Sequence, residues 1–241
     1  MKAMITSVTQ RIYGMFTWLI FFSVIIPTIC LLAITPGQHN RRVMVQKAAA
    51  LILFVTGVTP RVTGYENLPD DRSVVVANHA SYLDGIILTA VLPPRFTFII
   101  KREMSRVPFA SFLLRRIGSE FVDRSRNQRN MIDARRIMHA AGTGQSLVFF
   151  PEGTIRRETG LRHFHHGAFA AAKRGNLKLV PVAICGSRDI LPATQALPIR
   201  ATLEVIIKPV ISPGSTQTST RDLMQACRNS ILEDLNEPDT P

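Results

Sequence analysis

Between Ile12 and Asn40 the chain carries no charged residue, and from Met15 to Leu32 it is almost wholly apolar. A helix needs about 20 apolar residues to cross the hydrocarbon core of a bilayer, so this run is long enough to span one. Tyr13 and Trp18 stand near its start as interfacial anchors. The run is too long for the apolar core of a signal peptide and lacks a small-residue cleavage site, so it reads as retained. Pro27 lies inside it and predicts a kink. A second apolar stretch, Ala48 to Val58, is about half as long as a span must be. Between the two, Pro36-Gly37-Gln38-His39-Asn40-Arg41-Arg42 reads as a basic turn. Either the first helix spans while the second lies on the surface, or the pair dips into one leaflet as a hairpin.

Charge supports a membrane surface. Lys and Arg number 29 against 17 Asp and Glu, a formal net charge of +12, which calls for a polyanionic partner. Six of the basic residues (Lys2, Arg11, Arg41, Arg42, Lys47 and Arg61) flank the apolar runs before the first acidic residue, Glu66. Nucleic-acid binders interleave stacking aromatics with their basic residues, and aromatics here are only 7%, so that partner is set aside. Cys30, Cys185 and Cys227 are too few and too scattered for a disulfide framework or a zinc cluster, which fits a reducing, cytoplasmic setting.

From about residue 61 the pattern changes. Short β-branched runs alternate with helical ones, the signature of an α/β layer fold. Strands are predicted at Val74 to Ala77, Phe96 to Ile100, Phe121-Val122, Ser146 to Phe150, Leu179 to Ile184 and Leu203 to Ile207. Helices are predicted over Asp84 to Val91, Pro108 to Arg116, Asn127 to Ala141 and Gly167 to Arg174. Ser219-x-x-Asp222 reads as a capping box opening a last helix that runs to about Leu235. Residues 237–241 read as a frayed tail.

The first strand runs into Asn78-His79-Ala80-Ser81-Tyr82-Leu83-Asp84. Imidazole suits general-base work near neutral pH, best when a carboxylate fixes its tautomer and orientation. His79 leaves a strand and Asp84 opens the next helix, so the two can meet across that turn. No cysteine or serine elbow accompanies them, so no covalent enzyme intermediate is expected. A second block, Phe149-Phe150-Pro151-Glu152-Gly153-Thr154, also follows a strand, and Gly153 permits close backbone approach to a ligand. Between the blocks lies Gly118-Ser119-Glu120-Phe121-Val122-Asp123-Arg124, whose guanidinium suits a phosphate. Lys101 and Arg102, straight after a strand in a basic segment, are further candidates for binding anionic substrates. His163, His165 and His166 invite a metal, but adjacent histidines do not share one ion easily, and no metal site is expected.

In this order the blocks resemble the glycerolipid acyltransferase family, and within it the 1-acylglycerol-3-phosphate acyltransferases. The resemblance covers roughly Ser73 to Cys185. It implies a mixed β-sheet flanked by helices, with residues 1–60 as membrane-anchoring helices, 61–236 as the acyltransferase domain and 237–241 as a flexible tail. It implies transfer of a fatty acyl group from acyl-CoA or acyl carrier protein to the free hydroxyl of a lysophospholipid. His79 would deprotonate that hydroxyl with Asp84 orienting the ring. Asn78, Ser81, Lys101, Arg102, Arg124, Glu152, Gly153 and Thr154 would bind substrate, and no cofactor or metal is needed. The enzyme would sit on a membrane (the inner, cytoplasmic membrane if the chain is bacterial), with its site facing the cytoplasm. Two departures stand out. Ile155 precedes Arg156 and Arg157 where the family commonly has arginine directly. His165-His166 replaces a pair of lysines in a Phe-Lys-Lys-Gly-like motif. A lyso-aminolipid or a larger lysophospholipid therefore remains an alternative acceptor, and a non-catalytic membrane lipid-binding protein the alternative function.

Overall fold

The computed structural model describes residues 2–123, 145–214, 218–235 and 237–240, and the side chains from Val8 onward. Seven strands form one sheet: β1 (Arg61–Thr63), β2 (Ser73–Ala77), β3 (Phe96–Lys101), β4 (Glu120–Val122), β5 (Ser146–Phe149), β6 (Lys178–Cys185) and β7 (Glu204–Ile207). Their order is β1-β7-β6-β2-β5-β3-β4, and every pairing is parallel except β6 with β7. The helices are α1 (Lys2–Ile34), α2 (Gln38–Val55), α3 (Asp84–Val91), α4 (Pro108–Arg116), α5 (Gly167–Gly175), α6 (Ser187–Ile190) and α7 (Thr220–Leu232).

Parallel strands covered on both faces are apolar throughout rather than alternating, and β2 is buried at every position. Successive side chains still point to opposite faces. Val74 and Val76 join a core with Phe164 and Phe169, beneath α5 and α7. Val75 and Ala77 join another with Ile87 and Leu88, beneath α3. The predicted capping box is present: Ser219 Oγ accepts from the Asp222 N–H at 3.1 Å, and the Asp222 carboxylate accepts from the Ser219 N–H at 2.9 Å. The helix predicted over Asn127 to Ala141 lies outside the described residues.

The two N-terminal helices are seated differently from one another. Helix α2 begins at Gln38, inside the stretch read as a basic turn, and packs on the body. Its Leu53, with Val58 beyond it, lies in the core that holds Val75 and Ile87. Arg42, read as a flanking cation, is half-buried instead. Its guanidinium donates to Ile117 O at 2.7 Å, Arg95 O at 3.0 Å and Thr97 Oγ1 at 2.6 Å, and burial lowers its pKa. Val8–Ile34 of α1 is long and apolar enough to cross a membrane. Pro27 lies inside this helix. Tyr13 donates to Thr56 O at 2.9 Å and Trp18 to Ala196 O at 2.8 Å, so one side of α1 rests on the body. The other is open: Leu19 is 65% exposed and Ile34 79%, in company with Phe54 on α2 and Phe109 on α4.

Residues 237–240, expected to be flexible, make hydrogen bonds to the body. Leu161 donates its N–H to Pro238 O at 2.9 Å, and Thr240 donates its own to Leu161 O at 3.0 Å. The sequence hides this because both partners lie far away along the chain.

Candidate active site

Strands β2 and β5 lie side by side with Val76 opposite Phe149, so the turns that follow them emerge together at one end of the sheet. In open parallel sheets, ligands bind outside this carboxyl end. The turn after β2 is built around one oxygen. Asp84 is fully buried at the start of α3, and its Oδ2 accepts from the Ala80 and Ser81 N–H groups, each at 2.8 Å. The same oxygen meets His79 Nδ1 at 2.9 Å. An oxygen already accepting two backbone bonds meets the ring as an acceptor, so Nδ1 carries the proton. Nε2 is left with its lone pair, on a side chain 20% exposed. Phe150 stacks on the ring, 4.2 Å between centroids and 19° from parallel, and limits its tilt. The dyad expected from the sequence is thus assembled. Phe150, quoted in the second block only as part of a strand, is a partner that sequence reasoning missed.

The turn after β5 reverses at Gly153, whose φ of +80° lies in the left-handed region that a side chain resists. This brings Glu152 beneath the first turn. Its Oε1 accepts from the His79 N–H at 2.7 Å and its Oε2 from the Arg162 N–H at 3.0 Å. Burial raises the Glu152 pKa, and these two backbone bonds pull it back in part.

Three of the expected substrate ligands turn polar atoms to partners inside the protein. Glu152 spends both oxygens on backbone. Asn78 is 3% exposed, donates to Ile184 O at 2.9 Å and accepts from the Ile184 N–H at 2.7 Å, which ties β2 to β6. Ser81, 1% exposed, donates to Leu191 O at 2.8 Å. Motif spacing identifies such residues but not which way their polar atoms turn. Thr154 is exposed just past Gly153. Lys101 pairs with Glu103 at 3.6 Å and Arg102 opens a 3-10 turn, both leaving β3 at this end of the sheet. Arg124 lies outside the described residues. His165 and His166 are exposed, and the His165 N–H binds Pro151 O at 2.9 Å, so their segment flanks the Glu152 turn. Among the described residues, no three His, Cys, Asp or Glu side chains gather as a metal would require.

Both turns fall inside the stretch, residues 59–185, matched by the family model described as Acyltransferase. The chain belongs to the Acyltransferase family. It is 27% identical to the 1-acyl-sn-glycerol-3-phosphate acyltransferase of Saccharomyces cerevisiae, over 90% of this chain and 73% of that one. It is 35% identical to the lyso-ornithine lipid O-acyltransferase of Pseudomonas aeruginosa, over 56% of this chain and 51% of that protein. The chain thus spans about half the length of the second relative. Its fold matches the crystal structure of the 1-acyl-sn-glycerophosphate (LPA) acyltransferase PlsC from Thermotoga maritima. The TM-score is 0.76 at 19% identity, covering 95% of this chain and 94% of that one.

Proposed function

We propose that this acyltransferase moves a fatty acyl group from acyl-CoA or acyl carrier protein to the free hydroxyl of a lysophospholipid, 1-acylglycerol-3-phosphate first among them. The observation that carries the reading is the 2.9 Å contact between His79 Nδ1 and a buried Asp84 oxygen, which leaves Nε2 free to accept a proton. Nε2 takes the hydroxyl proton as that oxygen attacks the thioester carbon. Collapse of the adduct breaks the C–S bond, and the imidazolium returns its proton to the departing thiolate. Much of the rate comes from holding hydroxyl and thioester in line, and no metal or cofactor is called for. Thr154, Lys101, Arg102 and Arg124 are the groups that would meet the substrates' polar and phosphate parts, and Gly153 would let backbone approach them.

The exposed apolar face of α1, continued by Phe54 and Phe109, would seat the protein on a membrane where both lipid substrates dissolve. In a bacterium this would be the cytoplasmic membrane, with the site on the cytoplasmic side. A second acceptor class has its own support. A lyso-ornithine lipid acyltransferase is 35% identical over 56% of this chain, and His165-His166 stands where a lysine pair would grip a phosphate.

Acyl transfer by detergent-solubilised protein, run beside His79→Ala with flotation on anionic vesicles, tests the reading. Transfer to lysophosphatidic acid should fall in the variant by at least about 10³-fold while flotation persists. Transfer confined to lyso-ornithine lipid would establish the second acceptor. Lipid binding without transfer to any acceptor would overturn the enzyme reading in favour of a lipid-binding protein.

A further inference from the structure

The Glu152 carboxylate is one link in a longer chain of hydrogen bonds. Its Oε1 holds the backbone of His79 and its Oε2 that of Arg162. The segment carrying Arg162 is gripped from outside by the end of the chain. Glu237 Oε2 accepts from the Gly160 N–H at 2.7 Å, and Pro238 and Thr240 bracket Leu161 through its N–H and carbonyl. Two arginines lock this strap in place. Arg188, on α6, donates to Glu237 Oε1 at 2.8 Å and Oε2 at 3.2 Å, and its Nη1 reaches Arg156 O at 3.0 Å. Arg228, on α7 and only 5% exposed, donates to Leu161 O at 2.7 Å, to Arg162 O and to Asp239. A buried guanidinium holding two successive carbonyls fixes the loop that presents the Arg162 N–H to Glu152.

We propose that Glu152 is a positioning residue for His79, and that residues 237–240 form a strap at the outer end of the same chain of bonds. Strap, loop 160–162, Glu152 and the His79 backbone then act as one unit that sets where Nε2 stands. The proposal rests on the reading of His79 as the base. Misplacing a catalytic group by about 1 Å can cost about 10²-fold, so loosening this unit lowers turnover without touching a substrate contact.

Glu152→Gln keeps the shape but sets an amide N–H against either the His79 or the Arg162 N–H. Its turnover should fall at least about tenfold while the acceptor KM stays within about twofold. The strap variant Glu237→Gln/Asp239→Asn should lower turnover several-fold, again at unchanged KM, and should add little when combined with Glu152→Gln, because the two act through the same bonds. Backbone hydrogen exchange read on the same proteins should show the His79 amide losing protection in both variants. A rise in KM at unchanged turnover for Glu152→Gln would make it an acceptor ligand and overturn the proposal. So would wild-type turnover in the strap variant at a temperature where it is folded, or unchanged exchange at His79. If the wild type transfers no acyl group to any lysolipid, the functional reading falls. The exchange result then decides the positioning chain by itself.

Discussion

Asp84, fully buried, and Glu152, half-buried, are carboxylates in the turns after two neighbouring parallel strands, and they use their oxygens differently. Asp84 gathers two backbone N–H groups and the His79 ring on a single oxygen, so part of its hold is on a side chain that faces solvent. Glu152 divides its oxygens between two backbone N–H groups. The first arrangement selects a tautomer and aims a lone pair. The second fixes where the main chain runs. Two acidic residues in two motif blocks look equivalent in the sequence, but only one touches the side chain of His79.

The largest effect that would test this difference is at Asp84. Asp84→Asn keeps the shape but can turn an amide N–H toward the ring, which favours the wrong tautomer. Turnover should fall by about 10³- to 10⁴-fold, well beyond the loss in Glu152→Gln. Steady-state kinetics on the two variants side by side check it. Equal losses would mean that both carboxylates serve the ring alike.

Next in size is Phe150. Its ring stacks on His79 and belongs to neither carboxylate's set of bonds. Phe150→Ala should lower turnover by about tenfold and leave the tautomer set by Asp84. Nitrogen chemical shifts of the His79 ring separate the two effects: the proton should stay on Nδ1 in Phe150→Ala and shift in Asp84→Asn. A tautomer change in the phenylalanine variant would place the control of the ring in stacking instead.

Most of the sheet was legible because strands covered on both faces need unbroken apolar runs, and β2, β3, β5 and β6 have them. β1 went unread: Arg61–Thr63 has an exposed, polar pattern and pairs only at the sheet edge with β7. The dyad was legible because His79 and Asp84 are five residues apart across a strand-to-helix turn. Four features were not, each for the same physical reason: a polar group's partner is set by tertiary contact. Asn78 finds Ile184, and Glu152 finds Arg162. Arg42 finds the α4–β4 turn and β3, so a cation read as membrane-facing is half-buried against the body. Glu237 finds Arg188, so the end of the chain is held down. The two N-terminal helices make the point with apolar residues. Both are hydrophobic enough to suggest a membrane, yet α2 buries Leu53 in the core while α1 leaves Leu19 and Ile34 exposed.

The smallest effect concerns protons on Glu152. Burial is the main cause of its raised pKa, ahead of the opposing bonds from the Arg162 and His79 N–H groups. The folded protein therefore binds this proton more tightly than the unfolded chain does. Just above the ordinary value of 4.5, the native state carries more protons than the unfolded one, so stability falls as pH rises. The stability contributed by this group is complete below that ordinary value and is lost as pH climbs through the folded pKa. Glu152→Gln cannot titrate, so the difference in unfolding free energy between wild type and variant should shrink with rising pH across that window and then level off. Urea titrations at a series of pH values, fitted for midpoint and slope, measure it. A difference that grows with pH would mean that the two backbone bonds outweigh burial. Glu152 would then be held by its hydrogen bonds as a charged acceptor.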